Sequence, residues 1–242
     1  MKSSISMISL IVPVYNEEDN IDDLYAEVAR AMSSQPCAWE LVFVDDGSSD
    51  HSLDIIRTLA SKDERVRYVS FEGNCGQSAA FAAGFRFAQG DVVVTLDADL
   101  QNDPADIPAM LQVYAKVDMV IGWRVNRQDS FIKRQASRIA NWIRNGISHE
   151  TVRDTGCSLK VMRSDMLKSI PMFTGMHRFL PTLMKLEGAR VAEVRVNHRQ
   201  RRKGVSKYGI LDRAWSSAYD LLAVRWMKKR HIGYKISTTN MK

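Results

Sequence analysis

The sequence predicts an α/β protein built on a doubly wound, mainly parallel sheet flanked by helices. Three observations carry that expectation. Apolar runs with little polar alternation, Met7–Val14, Trp39–Val44 and Asp91–Leu96, read as strands buried on both faces. Amphipathic segments of helical period lie between them, at the spacing of right-handed crossovers. The runs end in acidic or Asn/Gly-rich turns, and open α/β sheets bind their ligands at the carboxyl edge of the strands.

A chain of 242 residues, 45% hydrophobic and 26% charged, suits one large globular domain or a domain with an appendage. The formal net charge is +6, which admits nucleic acid, a membrane surface or phosphorylated small molecules as partners. Most acids precede residue 110, whereas Lys and Arg crowd into 123–144 and 195–235, so the anionic partner is expected to meet the second half. Cys37, Cys75 and Cys157 are sparse and have no C-x-x-C spacing, as in a reducing compartment without disulfide or zinc framework. The run Ile8–Val14 is too short for a secretion signal. No stretch approaches the roughly 20 apolar residues of a spanning helix. The expected location is cytoplasmic, with contact to a membrane surface left open.

Met7–Val14 is the first strand. Tyr15-Asn16-Glu17-Glu18 ends it, and a helix runs to about Met32 with Ile21, Leu24, Tyr25 and Val28 on one face. Trp39–Val44 follows, closed by Asp45–Asp50, then a helix carrying Leu53, Ile56 and Leu59. Val66–Phe71 is a third strand, and Asn74-Cys75-Gly76-Gln77 opens a helix rich in small residues. Asp91–Leu96 delivers the stretch Asp97-Ala98-Asp99-Leu100-Gln101-Asn102-Asp103-Pro104. Two carboxylates one residue apart, followed by an amide, form a hard-oxygen cluster suited to Mg²⁺ or Mn²⁺ gripping a substrate phosphate. Asp103 and Pro104 instead read as the cap and first residue of a helix reaching about Ala115. No G-x-G-x-x-G follows the first strand, so the pyrophosphate cradle of a dinucleotide fold is absent and a pyrophosphate would need a metal.

Val117–Gly122 is the next strand, and Phe131–Ile147 a basic helix with Ile132, Ala136, Ile139, Ile143 and Ile147 on one face. Asp154-Thr155-Gly156-Cys157 precedes a strand at Ser158–Met162. A helix near Gly175–Leu186 and a strand at Ala189–Asn197 follow. Arg199–Tyr208 reads as a basic, anion-seeking loop. The last helix, about Ile210–Lys229, aligns Leu211, Ala214, Trp215, Ala218, Leu222 and Trp226 in one stripe.

Val12–Glu18, Val44–Asp50, Asn74-x-Gly76-Gln77 and Asp97–Gln101 together resemble the signature of family 2 glycosyltransferases, which implies the GT-A fold. Asp99–Pro104, Gly122-Trp123-Arg124, Lys133-Arg134 with Ser137, Asp154-Thr155-Gly156 and Arg202-Lys203-Gly204-x-Ser206-Lys207-Tyr208 are similar to the polyprenyl-phosphate hexosyltransferases, the dolichol-phosphate mannosyltransferase type. The likeness spans roughly residues 7 to 210. It implies a GT-A domain over 1–208 and a C-terminal segment at 209–242.

The resemblance also implies roles. Pro13, Tyr15, Glu17 and Asp45 would hold the base and ribose of a nucleotide-diphosphate sugar of GDP-mannose or UDP-glucose type. Asp97 would face the donor's ribose or sugar, with Asp99 and Gln101 at the divalent metal. Arg202 would grip the diphosphate and act with Asp99 and Asp154 in catalysis, while Lys207 and Ser206 help the basic loop close. Arg124, Arg134 and Ser137 would receive the phosphate of a polyprenyl phosphate.

The implied reaction is an inverting, metal-dependent hexose transfer. A lipid phosphate is already an anion and needs positioning rather than deprotonation. A saccharide or lipid hydroxyl acceptor would need a base, for which Asp154 is the candidate. Many relatives of this type continue into transmembrane helices, and this chain resembles the soluble, peripherally attached members. Its basic ending, Arg225–His231, after a stripe with two tryptophans suits a helix in an anionic membrane interface. The same stripe equally suits a terminal helix packed on its own domain, and a separate small membrane subunit could also supply the anchor. Nucleic acid is not expected as a partner, since no such motif is present and acidic strand ends would repel a phosphate backbone.

Overall fold

The computed structural model describes residues 5–124, 152–200 and 210–232, with side chains of the last span from 219 onward. Seven strands form one sheet in the order β3-β2-β1-β4-β6-β5-β7. They are β1 (Met7–Val14), β2 (Ala38–Asp45), β3 (Val66–Ser70), β4 (Val92–Thr95), β5 (Met119–Arg124), β6 (Lys160–Arg163) and β7 (Val191–Val196). All neighbouring pairs are parallel except the two made by β6. The helices are α1 (Ile21–Met32), α2 (Ser52–Lys62), α3 (Gln77–Phe87), α4 (Ile107–Tyr114), α5 (Ser164–Ser169), α6 (Leu180–Leu186) and α7 (Ile210–Arg230).

The unbroken apolar runs follow from a core on each face of the sheet. Side chains alternate along a strand, so Ile8, Leu10, Val12 and Val14 of β1 join Leu41, Phe43, Val92, Val94, Val120 and Val161 in one cluster with α1, α2 and α4. Ile11, Val42, Val44, Val93, Met119, Ile121 and Met162 join the other, with α3, α5, α6 and α7. The small residues of α3 permit a close approach. A Cβ on Gly84 would lie 2.2 Å from Ile11 Cγ2.

The sheet grows from β1 through β2 to β3, and the chain then returns through α3 to lay β4 on the other side of β1. Strand order therefore reverses between β1 and β4, the place where open α/β sheets form their binding crevice. The turns after Val14, Asp45 and Thr95 all leave this carboxyl edge.

Several elements differ from the sequence expectation. The helix after Pro104 begins as a 3₁₀ turn, Pro104–Asp106. The expected Gly175–Leu186 helix divides into a 3₁₀ turn, Met176–Arg178, and α6. The short α5 has no counterpart in the expectation. In α7, Leu222 and Trp226 do not pack on the domain: they are 61% and 63% exposed, and Leu221 and Val224 are the buried pair. The basic helix expected at 131–147 lies outside the described residues, as do the side chains of Leu211, Ala214, Trp215 and Ala218.

Candidate active site

The turn after β4 continues the strand's alternation. Leu96, Ala98 and Leu100 enter the core, leaving Asp97, Asp99 and Gln101 as its polar members. Leu100 sits at φ 58°, a left-handed conformation that costs a branched side chain roughly 1–2 kcal/mol, and its burial in the core holds it there. The Gln101 N–H donates to Asp99 Oδ1 at 3.1 Å, closing the turn. Asp103 accepts from Ala105 N at 3.0 Å and Pro104 opens the 3₁₀ turn, so these two residues start a helix as expected.

Asp97 is partly buried and Asp99 buried. Desolvation, and then the neighbouring charge of Asp99, push the Asp97 carboxyl up to about 6, against the opposing pull of Ser158, Lys160 and Arg124. Two neighbouring carboxylates beside an amide fit a hard divalent cation. Among the described residues no three His, Cys, Asp or Glu side chains form a self-contained cage. The donor set suits an ion that completes its shell with substrate phosphate and water, and Asp99 and Gln101 are the residues that could hold it.

The turns after β1 and β2 are knitted together. Ser48 Oγ accepts from Asn16 N at 2.9 Å, Ser52 Oγ from Glu17 N at 2.9 Å and Asp50 from Glu18 N at 3.2 Å. In return Asn16 Oδ1 accepts from Ser49 N at 2.7 Å and Glu18 from His51 N at 2.8 Å. Asp45, fully buried, accepts from Ser70 Oγ at 2.8 Å and Ser48 N at 3.2 Å. Pro13 and Asp45, at the carboxyl ends of β1 and β2, and Tyr15 and Glu17, in the turn after β1, thus lie at two interlocked strand ends beside the β1–β4 crevice.

On the far side of β4, Arg124 at the end of β5 meets Asp154. Nε donates to Oδ2 at 2.7 Å and Nη2 to Oδ1 at 2.9 Å, a bidentate pair with both groups largely buried. Hydrogen bonding to Asp154 raises the Arg124 guanidinium despite its desolvation. Trp123 beside it is flanked by the guanidinium groups of Arg153 and Arg195, at 4.6 and 5.4 Å from the ring.

Lys160 on β6 lies opposite Thr95 and is 3% exposed, and its ammonium donates to the Cys157 carbonyl. Burial lowers its pKa, while Cys157, Asp97 and Asp154 oppose that shift. The sequence reading assigned Lys160 no role, because a lysine among apolar residues gives no pattern signal until β6 is seen to run under the site.

The basic loop begins at this same turn. Arg199 N donates to the Gln101 carbonyl at 2.9 Å, and Asn102 forms a β-bridge with His198. The Arg199 guanidinium pairs with Glu27 at 2.6 Å and Asp103 at 2.7 Å. Of the expected site residues, Pro13, Tyr15, Glu17, Asp45, Asp97, Asp99, Gln101, Arg124 and Asp154 gather along one edge of the sheet. Arg134, Ser137, Arg202, Ser206 and Lys207 lie outside the described residues.

Comparison with known proteins sets this geometry in a family. Residues 9–170 match Glycosyl transferase family 2. The dodecaprenyl-phosphate galacturonate synthase of Rhizobium johnstonii is 40% identical over 228 residues, covering 92% of this chain and 67% of that protein. The undecaprenyl-phosphate 4-deoxy-4-formamido-L-arabinose transferase of Edwardsiella ictaluri is 38% identical over 221 residues, covering 90% and 68%. Glucosyl-3-phosphoglycerate synthase from Mycobacterium tuberculosis, crystallised with Mn²⁺, UDP and phosphoglyceric acid, superposes with a TM-score of 0.69 at 20% identity, covering 92% of this chain and 78% of that one. The sheet and its flanking helices have the GT-A fold, and the chain belongs to glycosyl transferase family 2.

Proposed function

We propose that this glycosyltransferase moves a glycosyl group, with inversion, from a nucleotide-diphosphate sugar to a polyprenyl phosphate. The names of the two relatives span a uronic acid and a pentose derivative. The donor is therefore assigned as a nucleotide-diphosphate sugar, broader than the hexose of GDP-mannose or UDP-glucose type read from the sequence. The interlocked strand ends carrying Pro13, Tyr15, Glu17 and Asp45 take the nucleotide, and Asp97 faces the ribose or sugar. Asp99 and Gln101 hold Mg²⁺ or Mn²⁺, which when bound offsets negative charge on the departing diphosphate. Arg202 and Lys207 act on the same diphosphate from the loop that starts at Arg199. Arg124, Arg134 and Ser137 receive the acceptor's phosphate.

The observation that carries the choice of acceptor is the bidentate Arg124–Asp154 pair. A carboxylate locked into a guanidinium fork is a poor proton acceptor, which supports an acceptor that is already an anion over a hydroxyl needing Asp154 as its base. Asp154 then orients Arg124.

Among the described residues no helix is long and apolar enough to cross a membrane. The exposed Tyr219, Leu222 and Trp226 of α7, followed by Lys228, Lys229 and Arg230, support contact with the cytoplasmic face of an anionic membrane, where the lipid acceptor resides. A small membrane subunit would serve the same end.

The test is transfer of label from a panel of nucleotide sugars to undecaprenyl or dolichyl phosphate by the purified chain. Metal-dependent, EDTA-sensitive label in the organic phase is the expected result. Label that reaches only hydroxyl acceptors, or none across the panel, overturns the proposal.

A further inference from the structure

Helix α3 starts without a side-chain cap of its own. Gly76 precedes it at φ 89°, and its first turn is instead gripped from two directions. On the β2 side, Asp46 accepts from Cys75 N at 2.7 Å and Gly76 N at 2.9 Å, and Asn74 Nδ2 joins it at 3.0 Å. On the α6 side, Ser78 Oγ lies 2.8 Å from His177 Nδ1 and accepts from Gly175 N at 2.9 Å. Gln77 stands between these two grips, and its Nε2 donates to Asp97 Oδ1 at 2.8 Å.

The turn that carries His177 is anchored by the buried Gly175 and Met176. Gly175 has φ 91°, and a Cβ there would lie 2.3 Å from Asp220 Oδ2 of α7. The imidazole packs 6.4 Å from the Phe81 ring of α3. The bond from His177 to Ser78 therefore joins two well-packed bodies, and Gln77 is the residue nearest the join that reaches the acidic turn.

We propose that the Ser78–His177 hydrogen bond is a positioning device for the donor site: it fixes the first turn of α3, and through it the Gln77 amide that sets the orientation of the Asp97 carboxylate. Asp97 has a like charge beside it at Asp99, while Ser158, Lys160 and Arg124 draw the carboxylate from elsewhere, and the Gln77 amide fixes its Oδ1 among these competing pulls. A neutral amide supplied from a fixed helix start holds it without adding a competing charge. Outer partners of this kind set ligand geometry in metal-assisted sites, and their loss costs about 10- to 100-fold in affinity or activity. Ser78, Gln77 and His177 are positioning residues, and the inference rests on reading Asp97 as a donor contact.

The experiment is calorimetric titration of wild type, Ser78→Ala, His177→Phe and His177→Asn with UDP-galacturonate, UDP-glucose and GDP-mannose at saturating Mn²⁺. Steady-state KM values for donor and lipid are measured in parallel. Ser78→Ala and His177→Phe are expected to weaken donor binding about 10- to 100-fold, raising the donor KM and leaving the lipid KM unchanged. His177→Asn, which keeps a polar atom near the position of Nδ1, is expected to restore most of the loss. Ser78→Ala removes only a hydroxyl, so it carries the test if His177→Phe fails to fold. Donor binding unaltered in Ser78→Ala overturns the inference, as does an equal rise in both KM values. If wild type binds none of the donors, the parent reading falls and takes this inference with it.

Discussion

Asp97 has two demands placed on it that conflict in the ligand-free protein. On the proposed reading it meets the donor as a carboxylate, yet burial and Asp99 push its carboxyl from the ordinary 3.8 to about 6. Between those values the native state binds more protons than the unfolded chain, so the group's contribution to stability is largest below pH 4 and is lost as pH rises through about 6. The loss is on the order of 3 kcal/mol. Asp97→Asn is therefore expected to raise the melting temperature of the ligand-free protein by roughly 6–12 °C at pH 7.5 and to change it little at pH 4, while removing turnover. Equal melting shifts at the two pH values would contradict this account. Asp154 makes the complementary case. Asp154→Asn leaves the Arg124 guanidinium largely buried and poorly paired, at a cost of about 3–5 kcal/mol. With a phosphate acceptor it should lose part of its turnover, about 10- to 100-fold, whereas a hydroxyl acceptor that relied on Asp154 as base should lose essentially all. Initial rates with undecaprenyl phosphate distinguish the two. Asp97, Asp99 and Gln101 could be read in the sequence because they alternate with Leu96, Ala98 and Leu100 at the end of an apolar run. Lys160, Ser78 and His177 could not, since each gains its meaning from a partner between 3 and 99 positions away in the chain.

Strands buried on both faces announce themselves as unbroken apolar runs, and for that reason the runs in the sequence coincide with β1 residue for residue and with β2 and β4 to within a residue at each end. The reversed direction of β6 was not legible: Lys160–Arg163 carries the same alternation in either direction, and only pairing with β4 and β5 fixes it. The six-residue α5 is too short for a helical period to show, and the apolar period runs on through the break at Phe179, two residues before Pro181 in the first turn of α6, so the 3₁₀ turn and α6 read as one helix. The small residues of α3, by contrast, were visible but unexplained until its distance from β1 was known. That contact yields a sharp test. Gly84→Ala is expected to destabilise by about 1–3 kcal/mol, because its methyl would overlap Ile11 Cγ2 and the strand cannot yield. Ile11→Ala alone should also destabilise, by leaving a cavity. In the double variant the new methyl fills part of that cavity, so the combined loss in urea unfolding should fall clearly short of the sum. Strict additivity would mean that helix and strand do not meet at this point.

At the scale of the molecule, charge and apolar surface are separated in a way that matches a water-soluble donor and a lipid acceptor. The acidic turns face the β1–β4 crevice, and the net charge of +6 is the balance of an acidic first half and a strongly basic second half of the chain. Helix α7 displays the division most directly. Leu221 and Val224 dock it on the domain, and Tyr219, Leu222 and Trp226 project outward at 74%, 61% and 63% exposure. Arg225, Lys228, Lys229 and Arg230 lie along the same end. On the proposed reading this face enters the headgroup region, where each basic residue contributes about 1 kcal/mol of attraction to an anionic surface and the Trp and Leu side chains bury apolar area. Wild type should therefore sediment with phosphatidylglycerol vesicles, more weakly with phosphatidylcholine, and less as salt rises. Leu222→Glu with Trp226→Glu should lower partitioning by at least about tenfold on the apolar area lost, and raise the KM for polyprenyl phosphate presented in vesicles. The same pair should leave the KM for the nucleotide sugar, and turnover of a short detergent-soluble prenyl phosphate, unchanged. Vesicle binding that is insensitive to the pair would place the membrane contact elsewhere on the molecule, on the basic segments around 125–151 and 201–209.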